Sequence, residues 1–499
     1  MAENELVGEH FDPSLEITLE TVKARAVKGV LALTGRTLVL RLISFLAQGF
    51  LWAFLDPVHF GTFLLVSAIV NFLSYFADIG LGAALIQKKE KPTEADFKTV
   101  FTVQEALVIT ISASLLLSSP VLVKTHSLTL EGRHLLYALT AAFFLASLKN
   151  IPSIILERKL EFGKFIVPQI VEDLVYNITV VYFAWRGFGI TSFTYAVLAR
   201  GIVGVIAIYI LQPWKPGFSL SKTSLKNLLG FGIPYQLNNF LATVKDDGLT
   251  IVLGGILGST ALGFLGTAQR ASQYPLRFFM DNVTKVTFPA FSRMQDDKEQ
   301  LARVVGRSVF FICALVFPSL FGLVILFPSI LHLIPKYQKW EPAYIPLIFF
   351  SANSLIGAFT TQFTNTLNAI GKIKTTFKLM IMWTSLSWLL IPYLAMKANF
   401  VGASLGYFLV SVSSIVAYFI LKKLINFDGF YSIGKPFISS LLMLTILLIF
   451  KRLIGGYTWF SFFALVLIGG VSYLGTLYLL TGKVFIEDVK KTFTNIINK

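Results

Sequence analysis

Apolar blocks of roughly 20 residues, parted by short polar or basic connectors, recur along the chain from residue 33 to residue 480. At a rise of ~1.5 Å per residue, each block is long enough as a helix to cross the hydrocarbon core of a bilayer. The pattern predicts about fourteen transmembrane helices. Their spans are roughly 33–55, 60–82, 99–123, 135–156, 165–187, 190–212, 229–257, 259–282, 306–332, 342–367, 375–396, 399–421, 435–454 and 457–480. The expected class is an all-α polytopic membrane protein.

The connectors carry a second pattern. With a cytoplasmic N-terminus, the inner connectors collect Lys88, Lys89, Lys91 and Lys98, then Arg158 and Lys159, and later Lys422 and Lys423. The outer connectors hold Lys124, Arg133, Arg186, Lys336, Lys339, Lys397, Lys451 and Arg452. The balance is roughly 29 basic residues inside against 8 outside, the asymmetry that keeps Lys and Arg cytoplasmic. Both termini are therefore expected in the cytoplasm of a cell (inner) membrane.

Composition agrees. The chain is 55% hydrophobic and 14% charged with a mean hydropathy of +0.71, whereas a soluble domain carries about a quarter charged residues. A net charge of +16 could suggest nucleic acid. Here the excess is spread over inner loops, so anionic headgroups are the expected neighbours. Cys313, the single cysteine, excludes an intramolecular disulfide and a cysteine-based metal cluster. No spaced His pair and no phosphate loop ending in Lys-Ser or Lys-Thr occurs, so neither a metal nor any other cofactor is expected.

Residues 1–22 carry Glu3, Glu5, Glu9, Asp12, Glu16 and Glu20 and no Lys or Arg. That is not a secretory signal, and residues 1–28 read as an acidic cytoplasmic tail. A six-helix lobe is expected over 29–212. Gln212-Pro-Trp-Lys-Pro-Gly217 and the amphipathic stretch after it form a cytoplasmic linker, 213–228. A second six-helix lobe is expected over 229–428, a helix pair over 429–482 and a basic cytoplasmic tail over 483–499. Six helices before the linker give the two lobes the same orientation, as in parallel repeats. A faint repeat supports this: Phe60-Gly61-Thr62-Phe63 precedes Asp78, and Leu262-Gly263-Phe264-Leu265 precedes Asp281 at nearly the same distance.

Three stretches resemble a known family. "FGTFLLVSAIVNFLSYFADIGLGAALIQKKE" (60–90) resembles the second-helix region of Wzx-type polysaccharide flippases. "LGSTALGFLGTAQRASQYPLRFFMDNVTKVTFPAFSRMQDD" (257–297) is similar to that family's eighth helix and following loop, and "KYQKWEPA" (336–343) to its outer connector. That family lies in the multidrug/oligosaccharidyl-lipid/polysaccharide exporter superfamily. The resemblance covers the chain after residue 28. It implies two six-helix lobes, a further helix pair, and alternating access for a polyprenyl-diphosphate-linked oligosaccharide. The acidic extension before residue 23 departs from the family pattern.

The intramembrane charges are the candidate chemistry. Lys245, Asp246 and Asp247 would cost roughly 9 kcal/mol at a helix centre, and the apolar residues of their run return about 6 kcal/mol. The segment therefore needs neighbours or water. Gln236, Asn239, Thr243, Asp246 and Thr250 fall on one helical face, with Asp247 at its edge, as a cavity lining requires. Snorkelling to the outer interface is the competing reading. In helix eight Gln269, Gln273, Arg277 and Asp281 are spaced by four, with Arg270 adjacent. Arg41, Lys149 and Arg200 add cations in helices one, four and six, and Asn365 lines a polar face of helix ten.

Fixed guanidinium groups can replace the hydration of a diphosphate with charge-assisted hydrogen bonds. Arg200 and Arg270 are the expected diphosphate ligands, with Arg41, Lys149, Lys245 and Arg277 contributing. Asp78, Glu172, Asp173, Asp246 and Asp247 either bind a coupling ion or pair with these cations. An exporter of organic cations is the alternative cargo reading, since such cargo favours acids and aromatic faces. A glycosyltransferase or polymerase needs paired carboxylates on an extramembrane loop, and no outer connector exceeds about a dozen residues or carries them. The chain is thus expected not to be an enzyme. Expected partners are the lipid-linked oligosaccharide, membrane lipids, and a polysaccharide polymerase with its export machinery; no nucleic acid is expected.

Overall fold

The computed structural model describes residue 35 and residues 39–77, 79–88 and 90–482. The two expected tails, 1–28 and 483–499, and Asp78 lie outside the described residues. Every regular element among the described residues is helical. Eleven helical runs are long and apolar enough to cross a membrane, and Val39–Phe54 is a shorter apolar helix, α1. Two runs are each two helices joined at a break, at Gly258 and at Ala398–Asn399. Counting those halves separately and adding α1 gives fourteen segments among the described residues, matching the hydropathy pattern. Their outer faces suit hydrocarbon, with Leu117, Phe460 and Leu479 79–82% exposed.

The chain divides into two compact units, Met1–Ile251 and Val252–Lys499. The first contains α1, α2 (Pro57–Ser74), α3 (Leu81–Gln87), α4 (Glu94–Thr125), α5 (Leu130–Leu148), α6 (Asn150–Arg158), α7 (Phe162–Trp185), α8 (Thr191–Leu211) and α9 (Lys222–Thr243). Here α5 packs on α2, α4 and α8, and α7 on α8. The helix expected at 60–82 is two pieces. Gly80 adopts φ +77, and its backbone presses so closely on Gly232 of α9 that a side chain at either glycine would overlap the other's backbone.

The helix expected at 135–156 is likewise split at Leu148–Lys149. Pro152 has no N–H, so the Leu148 carbonyl loses its helical partner. The Tyr209 hydroxyl donates to that carbonyl instead, at 3.1 Å. Arg158 closes α3 in a similar way. Its guanidinium donates to the Leu85 carbonyl and, at 3.0 and 3.1 Å, to those of Ile86 and Lys88.

The second unit begins within α10 (Leu249–Arg293) and continues through α11 (Lys298–Leu333), α12 (Tyr344–Ala369), α13 (Ile373–Val412), α14 (Ile415–Leu424), α15 (Lys435–Ile454) and α16 (Trp459–Thr481). Its core forms on α11: Val305, Val309, Ile312, Val316 and Leu320 recur at helical spacing and meet Phe363 and Leu367 of α12. The opposite face of α11 packs on α15 and α16 through Phe310, Ala314, Leu447 and Leu465. Pro318 strips the Ala314 carbonyl of its helical donor, and the buried Tyr473 hydroxyl supplies one at 2.7 Å.

Tyr473→Phe keeps the ring and removes that hydroxyl. Thermal unfolding in detergent is expected to show a loss of about 1–3 kcal/mol, the cost of one orphaned buried carbonyl. Tyr478→Phe, on the partly exposed face of the same helix, is expected to be neutral.

Candidate functional site

Four expected site residues meet inside the first unit. Lys149, at the break between α5 and α6, places Nζ 2.7 Å from Oε1 of Glu172 on α7. Arg200 of α8 reaches the same carboxylate, with Nε 3.6 Å from Oε2. Its Nη2 lies 3.0 Å from Oδ1 of Asp173. Gly204, one turn beyond Arg200, leaves room for the Glu172 carboxylate, which a side chain there would occupy. Two cations and two anions make the cluster neutral, so it escapes most of the penalty for isolated intramembrane charge.

The cluster is not sealed. Glu172 is buried, but the Arg200 side chain is 47% exposed and lies over the Tyr176 ring, 5.8 Å from its centroid. A guanidinium has five donors, and two of its nitrogens meet carboxylates here. The arrangement holds Arg200 in one orientation while its exposed edge can donate to an incoming anion. Nearby, a cavity of about 180 Å³ lies beside the α2–α3 break, with Gln104 and Asn150 in its wall. That volume suits a few waters and not a sugar diphosphate.

The charged triplet that interrupts the seventh predicted helix sits in a widened, π-type turn, Val244–Gly248, between α9 and α10. Such a turn accommodates an extra residue, so positions beyond it advance by about 100° relative to an unbroken α-helix. Thr250 therefore leaves the face shared by Gln236 and Thr243, and the expected continuous polar stripe is interrupted. Within the turn Lys245 pairs with Asp246 at 3.2 Å, Asp246 is exposed and Asp247 half-buried.

Gln236 is engaged with the end of α2. Its amide donates to the Tyr75 carbonyl at 3.3 Å, and the Tyr75 hydroxyl donates to the Gln236 carbonyl. The side chain of Asn239 lies outside the described residues. Arg41 is half-buried on α1.

The remaining expected residues belong to the second unit. Arg270, Gln269 and Gln273 are half-buried on α10, with Tyr274 close to Arg270. Arg277 is exposed and faces Asp281 at 3.8 Å, one turn along. Asn365 joins a buried amide–hydroxyl network, donating to Thr284 at 3.5 Å. The centre of that network is Gln362, which donates to Thr284 at 3.1 Å and accepts from Thr287 and Ser308 at 3.3 and 3.2 Å.

Sequence reasoning missed Gln362, and it missed Glu105 of α4, a buried acid within a spanning helix. Inspection of every acid inside an apolar block would have found Glu105. Nothing local marks Gln362.

Folded helices with lipid-compatible outer faces define a polytopic membrane protein. Residues 50–344 match the family model described as "Polysaccharide biosynthesis protein", and the chain belongs to that family. It is 22% identical to the lipopolysaccharide biosynthesis protein WzxC of Escherichia coli, over 78% of this chain and 80% of that protein. It is 23% identical to the succinoglycan biosynthesis transport protein ExoT of Rhizobium meliloti, over 80% and 81%.

Among solved structures, the lipid II flippase MurJ in an inward closed conformation superposes with a TM-score of 0.73 at 16% identity, covering 92% of this chain and 99% of that one. An inward-facing multidrug resistance MATE family transporter gives 0.57 at 15% identity, over 79% and 98%. The fold is thus shared with both, and the resemblance to polysaccharide-synthesis membrane proteins read from the three quoted stretches agrees with the family that the model match establishes.

Removing one partner of the cluster strands the others. Glu172→Gln is expected to lower stability by about 3 kcal/mol, and adding Lys149→Met is expected to recover part of that loss. A double-mutant cycle in thermal unfolding checks the pair, and strict additivity would contradict the coupling.

Proposed function

We propose that the protein is a flippase that carries a polyprenyl-diphosphate-linked oligosaccharide from the cytoplasmic to the outer leaflet for surface polysaccharide synthesis. It works by alternating access of two six-helix lobes, 29–212 and 229–428, flanked by the helix pair 429–482. The observation that carries this reading is Arg200, a fixed cation in a spanning helix with an exposed edge. The membership of a polysaccharide biosynthesis family, a relative named as a transport protein and a fold shared with a lipid II flippase all support it. The basic inner connectors support cytoplasmic termini.

The diphosphate leaves water only where fixed donors replace its hydration. Arg200 and Arg270 are the proposed donors, with Arg41, Lys149, Lys245 and Arg277 as further cations. Pre-orientation of Arg200 by Asp173 and Glu172 lowers the ordering cost of binding. As phosphate oxygens arrive, Asp173 yields its share of the guanidinium, so the cation exchanges partners without ever standing bare. The uncharged sugars are left to amides, hydroxyls and aromatic rings. Cationic cargo fits the first unit less well, because Glu172 and Asp173 already face Lys149 and Arg200.

Arg200→Gln and Arg270→Gln are each expected to reduce flipping of lipid-linked oligosaccharide in reconstituted vesicles by at least about tenfold, since each removes a charge-assisted contact of the kind worth 1.5–3 kcal/mol. Arg200→Lys keeps charge but not the fork and should fall between. Unchanged flipping in both glutamine variants would defeat the reading.

A further inference from the structure

We infer that Glu105 is a proton-binding site of the first unit, held as a neutral carboxylic acid that exchanges its proton with water when the helices around it part. Glu105 lies on α4 within an apolar run and is 4% exposed. Both carboxyl oxygens are buried, and neither has a hydrogen-bond partner. An anion in that setting has no donor to stabilise it, whereas a neutral acid brings its own.

The neighbours point the same way. Ser147 from α5 and Tyr209 from α8 are polar groups close to Glu105. Ser147 spends its hydroxyl proton on the Phe144 carbonyl at 2.7 Å. Tyr209 spends its own on the Leu148 carbonyl at 3.1 Å, the group that Pro152 leaves without a helical donor. Each neighbour therefore has only oxygen lone pairs left to offer. Two neighbours whose hydroxyl protons are already given to carbonyls favour the protonated carboxyl.

The charges of the elements packed on α4 are paired elsewhere or exposed, as Glu131, Arg133 and His134 of α5 are. Lys149, two residues beyond Ser147, is turned to Glu172. Lys88, at the end of α3, pairs with Asp96 of α4 at 2.7 Å, and Lys98 pairs with Glu94 at 2.6 Å. Lys222 and Lys226 of α9 are exposed, and His59 of α2 accepts from the backbone of Asp56.

The site also has a path to the charge cluster. Leu148, which Tyr209 holds, is the residue before Lys149, and Tyr209 lies on the same helix as Arg200. Movement of α5 against α8 that frees the Tyr209 hydroxyl would give Glu105 its first donor and admit water. One oxygen–hydrogen bond on Glu105 then breaks and its proton passes to water; the reverse movement takes a proton back. That this exchange drives transport rests on the flippase reading, but the site itself does not.

Infrared difference spectra of the purified protein in lipid vesicles at neutral pH test it. Wild type minus Glu105→Gln is expected to contain the carbonyl band of a protonated carboxylic acid, and that band is expected to shift down when the vesicles are transferred to deuterated buffer. Absence of the band means an ionised Glu105 and overturns the proposal. A band that never shifts in deuterated buffer means a sealed structural acid and overturns it equally.

Should Glu105→Gln not fold, Ser147→Ala serves in its place. Loss of the acceptor is expected to move the wild-type acid band to higher frequency, and an unmoved band counts against the site. Neither readout uses cargo, so their failure leaves the flippase reading standing, and failure of flipping leaves the proton site standing.

Discussion

Inside a bilayer no water is at hand to satisfy a backbone carbonyl or a charge, so each must find its partner within the protein. That constraint shapes the repairs seen along the chain. Pro152 and Pro318 each break a helical hydrogen bond, and Tyr209 and Tyr473 each bring a hydroxyl from a neighbouring helix to the orphaned carbonyl. Arg158 performs the same service for the end of α3. These contacts tie non-adjacent helices together while keeping prolines that bend them. They let spanning helices be irregular where irregularity positions a side chain.

The same constraint governs the charges. Lys149 and Arg200 are tolerable because Glu172 and Asp173 lie against them, and those acids are tolerable for the same reason. The cluster is therefore a reservoir of paired charge and not a surplus of one sign. What distinguishes Arg200 within it is exposure of its outer edge, which lets an anion compete for donors that carboxylates already orient. Glu105 is the exception, an acid that satisfies the rule only by carrying a proton. The paired cation Arg200 lies on α8 and the protonated acid on α4, and Tyr209 of α8 and Leu148 of α5 form the joint between them.

The spans were legible in the sequence because a run such as 435–454 is long, apolar and bounded by glycine and basic residues; α15 occupies those same positions. Breaks were legible only in part. Pro152 announces that something must replace a hydrogen bond, but not that Tyr209 does so from 57 positions away. The break at Gly80 depends on close contact with Gly232, which no local pattern encodes. Side-chain periodicity placed Thr250 on the wrong face because the widened turn at Val244–Gly248 shifts the register. The charged candidates were visible as types in an apolar setting, but their partners were not, because Glu172 and Lys149 are 23 residues apart on different helices.

In the proposed flippase Arg200 stands in a hydrated passage while remaining anchored to the acids of α7. Cys313 is fully buried, so an introduced thiol can be read against a quiet background. Arg200→Cys in membrane vesicles, treated with a charged, membrane-impermeant thiol reagent from either face, measures access to that position. Labelling from at least one aqueous side, slowed by added lipid-linked oligosaccharide, is the expected result. A thiol at position 200 that no such reagent reaches from either side, with or without cargo, contradicts the passage and the anionic cargo with it.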